Sequence, residues 1–277
     1  MKNLSIGLLV GSSLFFSFSN TLNAQVLKGI GKKIGQKVES YVDKTLDENL
    51  KPTSNRNSSS NGNNQEGPFE NLKGMKNDFA RGAENIFEDN FSQDSAGDMA
   101  SRWTSNGRGE VSKVSIADGN WLQLFDGNTY KIKQLVRIPE NFTIEFDVLA
   151  MSDQEPKFAL DFGFDYQKGV GNHYYLAYQN PLNIQASYWF NKFDFASKEV
   201  DPNKRSEVKA NMSYFVNDMM KVKIRVDGER MRTYINEYKI LDTEMANPAS
   251  KKYFYFAFNS DDKSAEVYIG NFRIDKI

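Results

Sequence analysis

The chain has 277 residues, and its 35 basic and 36 acidic side chains leave a net charge of −1, so it lacks the basic surplus of a nucleic-acid-binding protein. It contains no cysteine, which excludes disulfides, thiolate zinc sites, cysteine nucleophiles and lipid attachment through an N-terminal cysteine. The one histidine, His173, could serve a Ser-His-Asp triad but cannot build a multi-histidine metal centre.

Residues 1–24 have the layout of a secretory signal peptide. Lys2 precedes an apolar stretch from Ile6 to Phe18, and a polar stretch ends at Ala24, after which we expect cleavage. The apolar stretch has about thirteen residues, which is too few for the roughly 20 of a membrane-spanning helix. We therefore expect an extracytoplasmic protein, found in the periplasm, on the cell surface or in the medium.

Residues 25–50 carry apolar side chains at three- and four-residue spacing, which predicts an amphipathic helix. Its first half contains four lysines and no acid, a charge pattern that suits peripheral contact with an anionic membrane. Gly29, Gly31 and Gly35 weaken the helix, and this favours the alternative that it packs on its own domain or on a partner.

Two further segments precede the main domain. Residues 51–68 are rich in Ser, Asn and Gly and contain almost no apolar side chain, so they predict a flexible linker. In residues 69–86 the apolar side chains again follow a helical spacing, from Phe69 and Leu72 to Phe79 and Ile86. This spacing predicts a second, short helix that caps or leads into the main domain.

After Phe87 the apolar pattern changes from helical spacing to alternation, which is typical of half-buried strands. Three Asp-Gly pairs separate or flank the alternating runs and predict hairpin turns. Aromatic side chains are concentrated here, so we expect residues 87–277 to form one antiparallel two-sheet sandwich with a large aromatic core. The clearest predicted strands are 129–137, 142–148, 157–164, 220–226, 253–258 and 265–274.

Five features of this region form a recognisable order of segments: F-E-D-N-F (87–91) with Trp103, N-W-L-Q-L (120–124), F-T-I-E-F-D-V (142–148), the run from Lys221 to Asp242, and Y-I-G-N-F-R-I-D-K-I (268–277). On these segments the region resembles the concanavalin A-like lectin/glucanase jelly roll, including the laminin-G-like and keto-disaccharide-hydrolase-like domains of secreted bacterial proteins. It implies an all-β jelly-roll sandwich, here preceded by a helical N-terminal arm and a linker, and commonly a carbohydrate- or protein-binding role.

Catalytic residues are not predicted. Glu145 and Asp147 share one face of a strand, where related glucanases place catalytic carboxylates, but Leu149 and Ala150 occupy the positions of the third acid. A solvated strand face is therefore the favoured interpretation of this pair. His173 follows a Gly-rich turn, and no G-x-S-x-G nucleophile elbow accompanies it, so a structural or surface role is favoured for it as well.

We expect no cofactor, and we assign no metal ligand. Asp89 and Asp275 fall in the first and last predicted strands, which pair in many jelly rolls and sometimes bind a structural calcium. Two distant acids form a weak ligand set, so calcium stays an alternative here.

Ligand-binding candidates come from an aromatic-rich segment between His173 and Phe193. We select Tyr175, Tyr178 and Trp189 as the ligand-binding residues. If Tyr188 and Phe190 fill the core, strand alternation turns Trp189 outward, where it can stack on a sugar ring. The opposite strand phase would instead place Trp189 in the core.

The sequence thus predicts an exported, non-catalytic lectin-like domain that binds a glycan or a cell-envelope protein. A divergent glycoside hydrolase of the same fold and a purely structural envelope protein are the alternatives.

Overall fold

The computed structural model describes residues 67–69, 72, 77–134, 136–171 and 182–277. All of these residues belong to one unit, Asn64–Ile277. The predicted signal peptide, the helix over 25–50 and nearly all of the linker over 51–68 lie outside the described residues. Within the described ranges, no helix is long and apolar enough to cross a membrane.

Fifteen strands and one short 3₁₀ helix, Met212–Phe215, make up the regular structure of the described residues. The strands are β1 (Glu84–Asp89), β2 (Trp103–Ser105), β3 (Gly109–Val114), β4 (Ala117–Leu124), β5 (Thr129–Ile132), β6 (Phe142–Met151), β7 (Phe158–Asp165), β8 (Leu182–Ser187), β9 (Lys192–Ser197), β10 (Lys204–Lys209), β11 (Asp218–Asp227), β12 (Arg230–Ile235), β13 (Tyr238–Glu244), β14 (Tyr253–Ser260) and β15 (Glu266–Lys276).

The strands form two antiparallel sheets. Sheet A has the order β13-β12-β11-β6-β15-β4-β3, and β1 pairs with β15 beyond the end of β4. Sheet B has the order β10-β9-β8-β7-β14-β5-β2. The predicted all-β, two-sheet antiparallel architecture is therefore confirmed for the described part of the chain.

The core lies between the two sheets, where every second side chain of each strand points inward. Phe146 of sheet A contacts Phe162 and Phe256 of sheet B edge to face, with ring centroids 5.2 and 4.9 Å apart. Phe272 of β15 packs on Trp103 at 5.1 Å. Such edge-to-face pairs are favourable beyond the apolar area they bury, and the predicted aromatic core is confirmed.

The six clearest predicted strands all occur, as β5, β6, β7, β11, β14 and β15, but β5 covers only the first four residues of the strand predicted over 129–137. Two of the three Asp-Gly pairs mark turns, with Gly127 and Gly228 at positive φ. Asp118-Gly119 does not, since it lies inside β4 and the turn comes at residues 115–116. The segment 194–209, which reads as a polar loop, instead forms most of β9 and β10.

The helix predicted over 69–86 is wrong in its described second half. Residues 77–82 run across the outer face of sheet A as an irregular strap, and β1 begins at Glu84. Asp78 accepts a hydrogen bond from the Tyr234 hydroxyl on β12, at 2.7 Å. Arg81 forms a two-pronged ion pair with Glu145 on β6. These sheet contacts satisfy polar groups that a helix would leave to solvent, and so they override the helical spacing.

Candidate functional site

Trp189 lies in the turn that joins β8 to β9. Tyr188 is buried and packs on Phe158 with ring centroids 4.3 Å apart, whereas Trp189 is 47% exposed and Phe190 is 67% exposed. The outward position of Trp189 agrees with the first of the two strand phases. Phe190 does not fill the core as that phase requires, because residues 188–191 form a turn and not a strand, and Asn191 takes a positive φ of 53°.

The exposed rings of Trp189 and Phe190 form a small aromatic platform. Their planes differ by 10° and their centroids are 5.8 Å apart, so the two rings present near-parallel apolar faces. Contiguous exposed apolar patches are a common feature of binding surfaces. An aromatic face of this kind can pack against the C–H face of a sugar ring.

A polar row crosses the outer face of sheet B beside this turn. The strand register places Asp161, Gln185, Asp194 and Glu207 side by side on β7 to β10. The Lys192 ammonium lies 2.8 Å from the Glu207 carboxylate and 3.1 Å from Asp194. Hydrogen bonds from Lys192 to these two acids raise its pKa. The row offers carboxylate, amide and ammonium groups that could bind hydroxyl groups of a ligand.

Further along the same face, the polar groups are buried and already bonded to one another. The Asn183 side-chain amide donates to the Asp161 carboxylate at 3.0 Å, and the Tyr255 hydroxyl donates to the side-chain amide oxygen of Asn183. The register places Gly163 of β7 between Tyr255 and Asn183. The Tyr255 side chain therefore passes over Gly163, which has no side chain, and reaches Asn183 on the next strand.

Lys131 fixes the start of the β7–β8 connection. Its buried ammonium contacts the Asp165 carboxylate at 2.5 Å and donates to the carbonyls of Gln167 and Gly169 at 2.7 Å. Burial lowers the pKa of Lys131, and the ion pair with Asp165 opposes this shift. The connection anchored here is the segment of the sequence that contains two of the predicted ligand-binding tyrosines.

Those two residues, Tyr175 and Tyr178, lie outside the described residues, as does His173. Of the three predicted ligand-binding residues, the structure therefore places Trp189 alone.

The acids considered for catalysis are engaged by other side chains. Glu145 and Asp147 do share the outer face of sheet A, as strand alternation predicts. Arg81 contacts both oxygens of Glu145, and Asn271 donates to Asp147 at 2.8 Å. The pair thus lies in a network of strand-face contacts.

The two acids considered for calcium do not meet. Asp89 is opposite Phe272 in the β1–β15 register, while Asp275 is opposite Asn85 four residues away. The Asp89 carboxylate accepts from the Phe91 amide and the Trp103 indole, and Asp275 accepts from Asn85 and Arg273. These residues do not fit a shared calcium site, and the described residues contain no cluster of three or more His, Cys, Asp or Glu that could hold a metal.

Comparison with known proteins finds likeness in structure alone. No family model and no curated protein sequence matches the chain. A sialidase matches with TM-score 0.48 and 14% identity. The match covers 71% of this chain but only 19% of the sialidase. The carbohydrate-binding module CBM66 from Bacillus subtilis matches with TM-score 0.43 and 15% identity, covering 63% of this chain and 96% of the module.

The exoplasmic/lumenal domain of VIP36, in its Ca²⁺-bound form, matches with TM-score 0.49 and 11% identity, covering 70% of this chain and 90% of that domain. These matches, which include the lectin-like sandwiches expected from the sequence, are distant likenesses of fold.

Proposed function

We propose that this domain binds carbohydrate at the aromatic platform of Trp189 and Phe190, and that it does so without catalysing a reaction. The observation that carries the proposal is the exposure of two near-parallel aromatic rings on one hairpin turn. Leaving two such rings in water costs hydrophobic free energy, which binding of an apolar ring face recovers.

The neighbouring polar row supports a saccharide over a purely apolar ligand. A sugar presents an apolar C–H face to stack on and hydroxyl groups around its rim to hydrogen-bond. Asp194 and Glu207 supply partly exposed carboxylates, and charged acceptors make strong hydrogen bonds with hydroxyl groups. The platform and the row together offer both kinds of contact.

The non-catalytic part of the proposal rests on the acids of β6. A glycosidase of the usual kind needs one carboxylic acid and one free carboxylate facing the scissile bond. Glu145 is held on both oxygens by Arg81, and Asp147 is bonded to Asn271. The divergent hydrolase therefore has less support than the binding domain.

The proposal includes an extracytoplasmic location, which rests on the signal-peptide layout of residues 1–24. A cell-envelope protein, in place of or beside a glycan, is the other partner we infer. Peripheral membrane contact through residues 25–50 would add to either. Cell fractionation with N-terminal sequencing tests the location: mature protein starting at or near Gln25 is expected outside the cytoplasm, and cytoplasmic protein retaining Met1 would contradict it.

Binding is tested by screening the wild-type chain and Trp189→Ala on a broad panel of neutral and acidic glycans. We expect at least one glycan to bind the wild type and to bind the variant at least tenfold more weakly, because about 1.4 kcal/mol of stacking is lost. Unfolding temperature should stay within a few degrees, since Trp189 is half exposed. Ile116→Ala, which removes an exposed apolar side chain from the β3–β4 turn, is the matched control and should bind as wild type.

The glycan proposal fails if no glycan binds, or if every bound glycan binds Trp189→Ala equally well. Capture of an envelope protein by the wild type but not by Trp189→Ala would instead assign the platform to a protein partner.

A further inference from the structure

A cavity lies at the opposite end of sheet B from the aromatic platform. Two connections that cross from one sheet to the other line it: residues 136–141 lead from β5 to β6, and residues 248–252 lead from β13 to β14. The first residue of β14 and the last two residues of the chain complete the lining. Its volume is about 780 Å³, within the usual range for ligand sites.

The cavity has an apolar floor with a phenol at one side. Val136 and Ile138 are buried beneath it, and Pro139 and Pro248 are part of its wall. Tyr253 is half-buried on the outer face of β14. Such a surface can pack on the C–H face of a ring while the tyrosine hydroxyl makes a hydrogen bond.

Cationic side chains surround this floor. Arg137, Lys251, Lys252 and Lys276 line the cavity, and Glu140 is the acidic side chain among the described lining residues. Two of the cations already have acidic partners. The Lys252 ammonium is buried 3.8 Å from Glu199, and Lys276 lies 3.5 Å from Glu84.

Arg137 and Lys251 differ from these two cations. Both are exposed, and neither has an acidic partner within the described ranges of the chain. A guanidinium binds a carboxylate or sulfate through two parallel hydrogen bonds, and an ammonium adds a point charge. Two cations without an ion-pair partner beside an apolar floor thus favour a ligand that combines a ring with an acidic group.

We propose that this cleft is a second binding site, which takes an acidic saccharide with its carboxylate or sulfate group on Arg137 and Lys251 and a sugar ring against Tyr253. The choice of a saccharide rests on the proposed function, whereas the preference for an anion rests on the cleft alone. The site is separate from the platform. Phe158, at one end of β7, packs on Tyr188 beside the platform, and Asp165, at the other end, is paired with Tyr253 of the cleft. The two ends of β7 are roughly 23 Å apart at strand spacing.

The test is calorimetric titration of the wild-type chain with tri-galacturonate, with a sulfated galactose trisaccharide and with a neutral galactose trisaccharide. We expect at least one acidic trisaccharide to bind more tightly than the neutral one, and to bind Arg137→Gln/Lys251→Gln at least tenfold more weakly. Whichever acidic compound binds identifies the anionic group. The double variant should keep the wild-type unfolding temperature, because both side chains are exposed.

The matched control is Lys113→Gln/Lys221→Gln, which removes the same charge from exposed positions of sheet A and should bind as wild type. If this control loses as much trisaccharide affinity as the Arg137/Lys251 double variant does, the loss is due to net charge and the proposed site is overturned. Failure of both acidic trisaccharides to bind, or equal binding of the neutral one, would also overturn it. If Trp189→Ala loses binding of the acidic trisaccharides while the Arg137/Lys251 double variant binds them as wild type does, the platform is supported and the cleft is refuted.

Discussion

At the scale of single residues, Gly163 allows β7 and β8 to approach closely at the centre of sheet B. A Cβ atom at this position would lie 2.2 Å from the Leu182 carbonyl oxygen, and its φ is 152°. We expect Gly163→Ala to lower the free energy of unfolding by roughly 2–4 kcal/mol, because the backbone of β8 would have to move.

Gly119→Ala is the control for this substitution. Gly119 also has a positive φ, 89°, but nothing lies within 4 Å of the position that an added Cβ atom would take, so backbone strain of roughly 1 kcal/mol is all that it should cost. Urea unfolding of the two variants checks the difference. Equal losses would show that the contact with β8 relaxes without cost.

Asp262 should make stability depend on acid pH. Burial alone would raise its pKa, but hydrogen bonds from Ser152, Gln154 and Ser264 hold the pKa at about 2. A carboxyl with a depressed folded pKa stabilises the fold above its unfolded pKa, 3.8, and this stabilisation is lost as pH falls through about 2.

Asp262→Asn should therefore cost roughly 1–3 kcal/mol at pH 7 and should flatten the dependence of unfolding free energy on pH between about 4 and 2. Denaturant unfolding at several pH values measures both. A variant that loses stability in parallel with the wild type across this window would contradict the assignment.

The sequence can predict some residues of the candidate site and not others. Trp189 and Phe190 both lie in the four-residue turn 188–191, where strand alternation no longer sets the direction of a side chain. The sequence therefore narrows the direction of Trp189 to two alternatives but does not determine the exposure of either ring. Asp161, Asn183 and Gln185 resemble the polar side of any strand, and only the register across β7 and β8 shows that they bond to one another. Register depends on long-range pairing, which one sequence does not reveal.

At the scale of elements, local sequence signals are enough to predict most strands and turns, whereas long-range contacts decide the structure of the N-terminal segment. The Asn236-Glu237 turn forms although it lacks the usual glycine, because asparagine tolerates the positive φ of 51° that Asn236 adopts. Local chemistry is enough there. Residues 69–86 have helical spacing, yet Phe79 packs edge to face on Tyr234 and Ile86 lies in β1. Here tertiary contacts outweigh local propensity.

Phe69, the first residue after the predicted linker, is expected to contribute to the stability of the folded domain. It is buried, with ring centroids 6.0 Å from Phe193 and 5.2 Å from Tyr238. Phe69→Ala is expected to cost about 3–4 kcal/mol, as for other buried aromatic truncations. Phe190→Ala removes the same atoms from an exposed position and should cost less than about 1 kcal/mol. Thermal unfolding compares the two, and a similar small loss in both would place Phe69 outside the core.

At the scale of the whole molecule, the fold is held by pairing between distant parts of the chain. β15, the last strand, pairs with β6 along one edge and with β4 and β1 along the other. The strap of residues 77–82 then crosses the outer face of the same sheet. The beginning and the end of the described chain are therefore joined in sheet A, and neither can be removed without exposing strand edges.

The predicted boundary at residue 68 can accordingly be refined by truncation. The Pro68 carbonyl accepts a hydrogen bond from the Asn211 amide at 2.7 Å, so the domain includes residues that the linker prediction assigns to 51–68.

A chain that begins at residue 67 should unfold in one cooperative transition, within a few degrees of the chain that begins at Gln25, because it keeps every described contact. A chain that begins at Glu84 loses Phe69 and the strap, and its unfolding temperature should fall by roughly 6–12 degrees, because about 3 kcal/mol is lost from a chain of this size. Calorimetry of the three chains decides the matter: equal stability of the two truncations would show that residues 67–83 add nothing to the fold, and a large loss on removing 25–66 would show that the preceding arm belongs to it.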